Sequence, residues 1–241
     1  LYLAIVIILF LITLNMHLKG AFSYPYLEDT DPWEHALSVK YITQEKSLKA
    51  SEDVTKSYFS YLAPYPPGYD LTMGVLHQLN PSITSTLKTF NAIIISFIIL
   101  LFYIFAKSFI GNRDKALVAT FIFAMIPSFL SHFIWAHSLV IFLLFPMLIA
   151  FEFLNKDKRW QLPAAIIFAA ILTSQPTQPV KIAVMLGIYI VIKSLIEKKL
   201  LVNHIKSLIG GFIISLAWWI FNFKGMFSKS VQGTTTDVIT E

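Results

Sequence analysis

The chain has 241 residues, of which 56% are hydrophobic and 15% aromatic, and its mean hydropathy is +0.67. Such values are far from those of a soluble domain and are typical of an integral membrane protein. Because the chain has no cysteine, disulfides and thiolate metal sites are excluded. The net charge of +5 indicates membrane topology and gives no support to a nucleic-acid partner.

Seven apolar segments follow one another along the chain, at about residues 1–16, 89–106, 116–131, 138–154, 162–175, 182–196 and 207–222. We therefore predict an all-α integral membrane protein with about seven transmembrane helices. The first segment lacks a basic region and a small-residue cleavage site, which favours a membrane anchor over a cleaved signal peptide. Since the chain starts at Leu1 and ends in a polar stretch, we expect it to be a fragment of a longer protein.

Three short connections lie at residues 107–115, 155–161 and 197–206. Together they contain nine Lys or Arg residues and three acidic residues. Positive charge marks cytoplasmic loops, so these three are predicted to lie inside. The alternate connections then lie outside, at 17–88, 131–137, 174–181 and from 223 onward. We expect a multi-pass cell membrane protein with a transmembrane module over 1–222, followed by the start of an outer loop at 223–241.

The first outer loop, 17–88, is too long for a simple tether and carries a concentration of carboxylates. Asp29 and Asp31 come just before Pro32, a residue that suits the first turn of a helix and disfavours helix at the residue before it. An apolar stripe then recurs every four residues, at Trp33, Leu37 and Tyr41. This pattern predicts an amphipathic helix along the membrane surface, so the first outer loop is partly helical.

Later in the same loop, a Pro/Gly/Tyr-rich segment covers residues 58–70 and predicts a rigid, non-helical stretch. Its tyrosines at 61, 65 and 69 are interpreted either as a membrane-interface belt or as stacking platforms for a sugar. A short helix is predicted from Leu71 to Leu79, before Pro81.

Two shorter outer connections carry polar side chains with functional potential. One contains His132 and His137, which act either as ligands in a turn or as interfacial caps of helix ends. The other contains Gln178 and Lys181, either in a polar cavity lining or in a Pro-broken turn with a lysine that reaches for the membrane surface.

Glu152 and Lys193 lie toward the predicted cytoplasmic ends of their spans. Long charged side chains at such positions ordinarily extend to the membrane surface. We therefore assign no chemistry to this pair.

The segment Asp31-Pro-Trp-Glu-His-Ala-Leu-Ser-Val-Lys-Tyr-Ile42 resembles the first-loop signature of the catalytic subunit of oligosaccharyltransferase. Tyr65-Pro-Pro-Gly68 is similar to a Tyr-Pro-x-Gly segment of the same loop, and the topology resembles the type C glycosyltransferase module. The resemblance implies that Asp31 is an essential acid that helps to bind a metal and engages the acceptor, with Asp29 as a possible helper. It also implies a divalent cation, Mn²⁺ or Mg²⁺, as cofactor. The expected ligands are Asp31, His137 and Glu241, the last from a stretch similar to the family's late acidic element.

The chain departs from that family at its second acidic motif, because residues 131–137 contain no acid. We expect His132 and His137 to replace the missing carboxylates, Lys181 and Gln178 to hold a phosphate, and Tyr65 to hold lipid or sugar.

The expected activity is transfer of a sugar or glycan from a polyprenyl (dolichyl) phosphate or diphosphate to an acceptor on the outer face, a protein asparagine if the resemblance extends to protein glycosylation. One alternative is a metal-independent transferase of the same fold that takes a monosaccharide from a polyprenyl phosphate, which the missing acids favour. Another is a non-catalytic or transport protein with seven helices.

Overall fold

In the computed structural model, the described residues are 1–49, 61–126 and 133–237, with side chains described up to residue 226. All regular secondary structure in this part of the chain is helical. The helices are α1 Tyr2–Ala21, α2 Thr30–Glu45, α3 Gly68–His77, α4 Ile83–Ile110, α5 Arg113–Ala124, α6 Ala136–Leu154, α7 Gln161–Leu172, α8 Gln178–Glu197 and α9 Val202–Asp237, with a 3₁₀ turn at Lys158–Trp160.

Five helices are long and apolar enough to cross a membrane: α1, α4, α6, α8 and the Val202–Met226 part of α9. This confirms, for the described residues, the prediction of an all-helical chain with several such helices. The predicted segments 116–131 and 162–175 instead contain α5 and α7, of 12 residues each. A helix of that length is about 18 Å long, which is short for a hydrocarbon core of roughly 30 Å. The count of seven spans stays a prediction.

The last helix continues beyond the predicted span, because α9 is helical as far as Asp237. The segment 223–237, which was expected to begin an outer loop, is thus helical, and its location on the outer side stays a prediction. Once a helix has formed, each further residue adds one backbone hydrogen bond at little cost, and this stretch contains no proline to stop it.

The alternating direction of the helices gives the bundle two distinct ends. The end of α7 and the starts of α4, α6 and α8 lie at one end, called here the site end. Asn91 Nδ2 donates to Phe133 O there at 2.9 Å, and Trp219 Nε1 donates to Leu172 O at 3.0 Å. The three Lys/Arg-rich connections lie at the other end, called here the basic end, where Tyr2 donates its hydroxyl to Asp114 Oδ1 at 2.5 Å.

Helix α2 begins two residues earlier than the sequence predicts. Asp29 is its N-cap and accepts the backbone N–H of Thr30 at 2.7 Å. Pro32 is tolerated inside this first turn because the first N–H groups of a helix have no partner within the helix. Asp31 is therefore helical, although a proline follows it.

The two faces of α2 have different surroundings. Trp33 is 44% exposed and Leu37 38% exposed, as expected of a stripe that lies along a membrane surface. Ala36 and Val39, on the opposite face, are buried in a cluster with Tyr69. This packing holds α2 against the bundle at the site end.

Glu152 and Lys193 do not extend to the membrane surface, and that interpretation was wrong. Glu152 is only 6% exposed, and Lys193 Nζ lies 2.8 Å and 3.0 Å from its two carboxylate oxygens. The Tyr189 hydroxyl donates to the same carboxylate. A charge inside a membrane span is costly unless it is paired, and this pair joins α6 to α8.

Candidate functional site

Asp31 lies in the first turn of α2, at the site end. Its carboxylate is half-buried and accepts a hydrogen bond from the Tyr61 hydroxyl. Burial, together with the hydrogen bond to Asp31 and its charge, raises the pKa of Tyr61. Tyr61 therefore stays protonated and orients the carboxylate as a permanent donor.

One turn further along α2, His35 forms a buried pair with Asp70 of α3. His35 Nδ1 lies 2.6 Å from Asp70 Oδ1, and the two side chains are 2% and 1% exposed. Burial raises the pKa of the Asp70 carboxyl, and the charge and hydrogen bond of His35 partly offset this by lowering it. Asp70 Oδ2 has no hydrogen-bond partner among the described residues.

The His35 ring is enclosed by the three tyrosines of the Pro/Gly/Tyr-rich segment. Its centroid lies 4.6 Å from that of Tyr61, in a stacked arrangement, and 4.6 Å from that of Tyr69. Tyr65 packs on Tyr61 at 4.4 Å. Tyr69 is fully buried and Tyr65 is 8% exposed, so the interpretation as a membrane-interface belt was wrong for these two.

A glycine places this aromatic segment against the turn after α7. The Gly68 backbone N–H donates to Thr173 O at 2.8 Å. A Cβ at position 68 would lie 2.8 Å from both Thr173 O and Ser174 Oγ, closer than side chains approach. Only glycine allows this contact, which explains why the Pro-Pro turn ends in Gly68.

The starts of α6 and α8 bring two further predicted residues toward Asp31. His137 is half-buried in the first turn of α6 and Lys181 is exposed in the first turn of α8. Asp31, Lys181 and His35 all lie close enough for their charges to act on the His137 imidazole. The structure thus groups Asp31, His137 and Lys181, which are far apart in sequence.

Gln178, another predicted phosphate-binding residue, is the half-buried first residue of α8. Its backbone N–H and that of Thr177 donate to the side chain of the buried Gln175. Gln175 therefore caps α8 and holds its first turn, and Lys181 with it, at the site end.

The other predicted site residues lie apart from this group or outside the described part of the chain. Asp29 is exposed, and its Oδ1 accepts from the backbone N–H and hydroxyl of Thr30. His132 and Glu241 lie outside the described residues.

Sequence reasoning missed His35 and Asp70 and did not connect Tyr61 with Asp31. His35 and Tyr61 lie within stretches already singled out, one turn after Asp31 and at the start of the aromatic segment. A carboxylate and an imidazole that are 35 residues apart in sequence form no local pattern from which their pairing could be predicted. Only the packing of α2 on α3 reveals it.

Among the described residues, no group of three or more His, Cys, Asp or Glu side chains is arranged to hold a metal ion. Mg²⁺ is usually held by one or two carboxylates together with substrate phosphates. The carboxylate of Asp31 fits that role as a single protein ligand, with His137 nearby.

No protein-family model matches the chain, and no curated protein matches it significantly.

Proposed function

We propose that the protein is a membrane glycosyltransferase of the type C class. It transfers a sugar or glycan from a polyprenyl phosphate or diphosphate to an acceptor, with a protein asparagine as the acceptor that the resemblance favours. The observation that supports this most is the grouping of Asp31, His137 and Lys181 at the site end. A carboxylate beside two potential cations matches what glycosyl transfer from a lipid phosphate needs.

Asp31 acts on the acceptor. As the acceptor atom attacks C1 of the donor sugar, the bond from C1 to the phosphate oxygen breaks and the acceptor proton passes to the Asp31 carboxylate. Tyr61 holds this carboxylate in place through its hydrogen bond. The His35–Asp70 pair supports Tyr61 from the other side through the stacked imidazole ring.

Lys181 and His137 act on the leaving phosphate. An ammonium group is a point charge that binds phosphate, and an imidazole donates a hydrogen bond to it, with full charge when protonated. Both residues lie in first turns, where the helix dipoles of α6 and α8 place partial positive charge at the same end. A bound divalent cation would add neutralisation of the same phosphate.

The basic end and the site end are opposite, and this arrangement supports an outer location for the site. If Lys/Arg-rich loops face the cytoplasm, the site end faces outward. Seven spans are compatible with this arrangement if α5 and α7 cross the membrane as well. The polyprenyl chain of the donor would then lie in the bilayer beside the bundle.

The test is glycan transfer in membranes from a radiolabelled polyprenyl-linked donor. The wild type is compared with Asp31→Asn and with Asp157→Asn, an equal change at the basic end, where Asp157 contacts Arg159. We expect Asp31→Asn to lose transfer and Asp157→Asn to keep it. Full transfer by Asp31→Asn would overturn the site, and no transfer by the wild type would favour the non-catalytic alternative.

The metal-independent transferase is the second candidate, favoured because, among the described residues, Asp31 is the single carboxylate whose charge acts on the His137 imidazole. EDTA-treated wild-type membranes separate the two candidates. Loss of transfer that Mn²⁺ or Mg²⁺ restores supports the oligosaccharyltransferase-like reaction. Transfer that is indifferent to EDTA but lost in Asp31→Asn supports the metal-independent reaction.

A further inference from the structure

A cavity lies at the basic end, remote from Asp31. It has a volume of about 750 Å³ and lies between the start of α1, the α4–α5 turn and the end of α6. This size is within the range of about 300–1,000 Å³ that small-molecule sites occupy. The glycosyl-transfer chemistry makes no use of it.

Three cationic side chains line this cavity, and they are Lys107, Arg113 and Lys156. All three are exposed, and no ion pair involving them is found within the described residues. The nearby Asp114 accepts the Tyr2 hydroxyl at 2.5 Å. The three cations outnumber the carboxylate of Asp114, so the cavity is electropositive, and its wall has hydroxyl groups from Tyr2, Tyr103 and Ser108.

The remaining wall is apolar and belongs to membrane-spanning helices. Leu3 of α1, Ile104 of α4 and Phe153 of α6 line it, and Ile104 is 42% exposed. A ligand here meets positive charge at the membrane surface and hydrocarbon on the bilayer side. This polarity matches an amphiphile with an anionic head.

We propose that this cavity binds an anionic phospholipid, with its phosphate between Lys107, Arg113 and Lys156 and its acyl chains along Ile104 and Leu3. Basic pockets between membrane helices recognise such headgroups through charge and hydrogen bonds. Arg113 supplies a planar fork of donors and the two lysines supply mobile point charges. The inference is independent of the glycosyltransferase function.

The experiment is native mass spectrometry of the full chain released from detergent micelles, titrated with phosphatidylglycerol or with phosphatidylcholine. Wild type is compared with the triple variant Lys107→Gln/Arg113→Gln/Lys156→Gln. The matched control is Lys115→Gln/Lys158→Gln/Lys206→Gln, which removes the same charge from the same end but outside the cavity. Ile104→Trp narrows the apolar wall without changing the charge.

We expect wild type and control to bind phosphatidylglycerol in preference to phosphatidylcholine. The cavity triple variant should bind it more weakly, by on the order of 100-fold for three basic side chains near an anionic lipid. Ile104→Trp should weaken binding as well, which keeps the test informative if the triple variant does not fold. Equal binding of both lipids, or an equal loss in the control, would overturn the proposal.

A phosphate group can also come from a soluble molecule, so sn-glycerol 1-phosphate is titrated in a parallel arm. We expect it to displace phosphatidylglycerol only at a much higher concentration than the lipid's own, because it has the same phosphate headgroup but no acyl chains. Competition at equal concentration would overturn the assignment to a lipid.

Discussion

His35 and Asp70 connect the acceptor side of the proposed site to the protein interior. Both are buried, and each is the hydrogen-bond partner of the other at 2.6 Å. Buried charges are tolerated in pairs, and removal of one partner typically costs about 3–5 kcal/mol. The pair therefore makes the position of Asp31 and Tyr61 dependent on a polar contact in the interior.

His35→Ala is expected to lower the thermal midpoint in detergent and to do so more at high pH. Burial raises the pKa of Asp70, so there is a pH range in which the folded state holds a proton that the unfolded chain has already lost. The stability that this group contributes is complete below the unfolded carboxyl pKa of about 3.9 and is lost as pH rises through the folded pKa.

Without His35, no described residue opposes that rise in pKa, so the difference from wild type should grow as pH rises above the unfolded carboxyl pKa of about 3.9. The control is His35→Ala/Asp70→Asn, in which the extra pH dependence should disappear. A difference between His35→Ala and wild type that stays constant over this range would contradict the buried pair.

Asp29→Asn tests whether Asp29 does more than cap α2. Asparagine is as good an N-cap as aspartate, so helix and fold should be unaffected. If capping is the whole role of Asp29, transfer should stay within about two-fold of wild type, since asparagine retains the cap. A loss comparable to that of Asp31→Asn, measured with the same donor, would restore Asp29 as a catalytic helper.

At the scale of elements, two glycine contacts bring segments close together. One is the approach of Gly68 to the turn after α7, and the other is the contact of α9 with α7. A Cβ on Gly211 would lie 2.6 Å from Ala165 O and 2.9 Å from Phe168 Cβ. Close helix packing through small residues is the main source of helix association in a bilayer.

Gly68→Ala should displace the aromatic segment from Thr173 and lower both stability and transfer. The expected cost is about 1–3 kcal/mol for overpacking at a backbone contact. Gly187→Ala is the matched control, since no atom of the described residues lies within 4 Å of a Cβ there, and it should be neutral or slightly stabilising. Thermal melts and transfer assays check both variants, and equal behaviour would contradict the docking of Gly68.

Gly211→Ala and Gly210→Ala form a second matched pair, at neighbouring positions of α9. A Cβ at 210 meets Ala165 Cβ at 3.4 Å, which is an ordinary contact. Gly211→Ala should therefore lower the melting temperature of the purified protein clearly more than Gly210→Ala. The reverse order would contradict the packing of α9 on α7.

The sequence predicts those features that depend on a pattern within one segment, and it does not predict those that depend on contacts between helices. The apolar segments, α2 and the helix predicted at Leu71–Leu79, found as Gly68–His77, follow from local patterns. The start of α2 was misplaced because a cap at Asp29 outweighs the preference of the residue before a proline. The pairing of His35 with Asp70, like that of Glu152 with Lys193, depends on which helices pack together, and no pattern within one helix encodes it.

At the scale of the whole molecule, the two ends of the bundle differ in chemistry. One end gathers a carboxylate, imidazoles, an ammonium group and tyrosines, and the other gathers basic side chains around a cavity. The two ends thus fit a protein in which transfer is proposed at one membrane face and the Lys/Arg-rich connections are predicted to lie at the cytoplasmic face.

The absence of cysteine makes this topology directly measurable, because single-cysteine variants need no prior substitution. Gln78→Cys lies at the site end and Lys158→Cys at the basic end, and both native residues are exposed. In intact cells, a membrane-impermeant maleimide should label Gln78→Cys, and should label Lys158→Cys only after permeabilisation. The opposite pattern would place the site end in the cytoplasm.

The most direct test of the central claim is the saturation curve of glycan transfer against donor concentration for wild type and Asp31→Asn, with Asp157→Asn as control. In the proposed mechanism Asp31 takes the acceptor proton while Lys181 and His137 hold the donor phosphate, so the maximal rate should fall by about 100-fold or more. If Asp31 holds no cation on that phosphate, the half-saturating donor concentration should stay within about three-fold, and a rise well beyond that would assign Asp31 to the cation as well. An unchanged maximal rate in Asp31→Asn would contradict the proposed site.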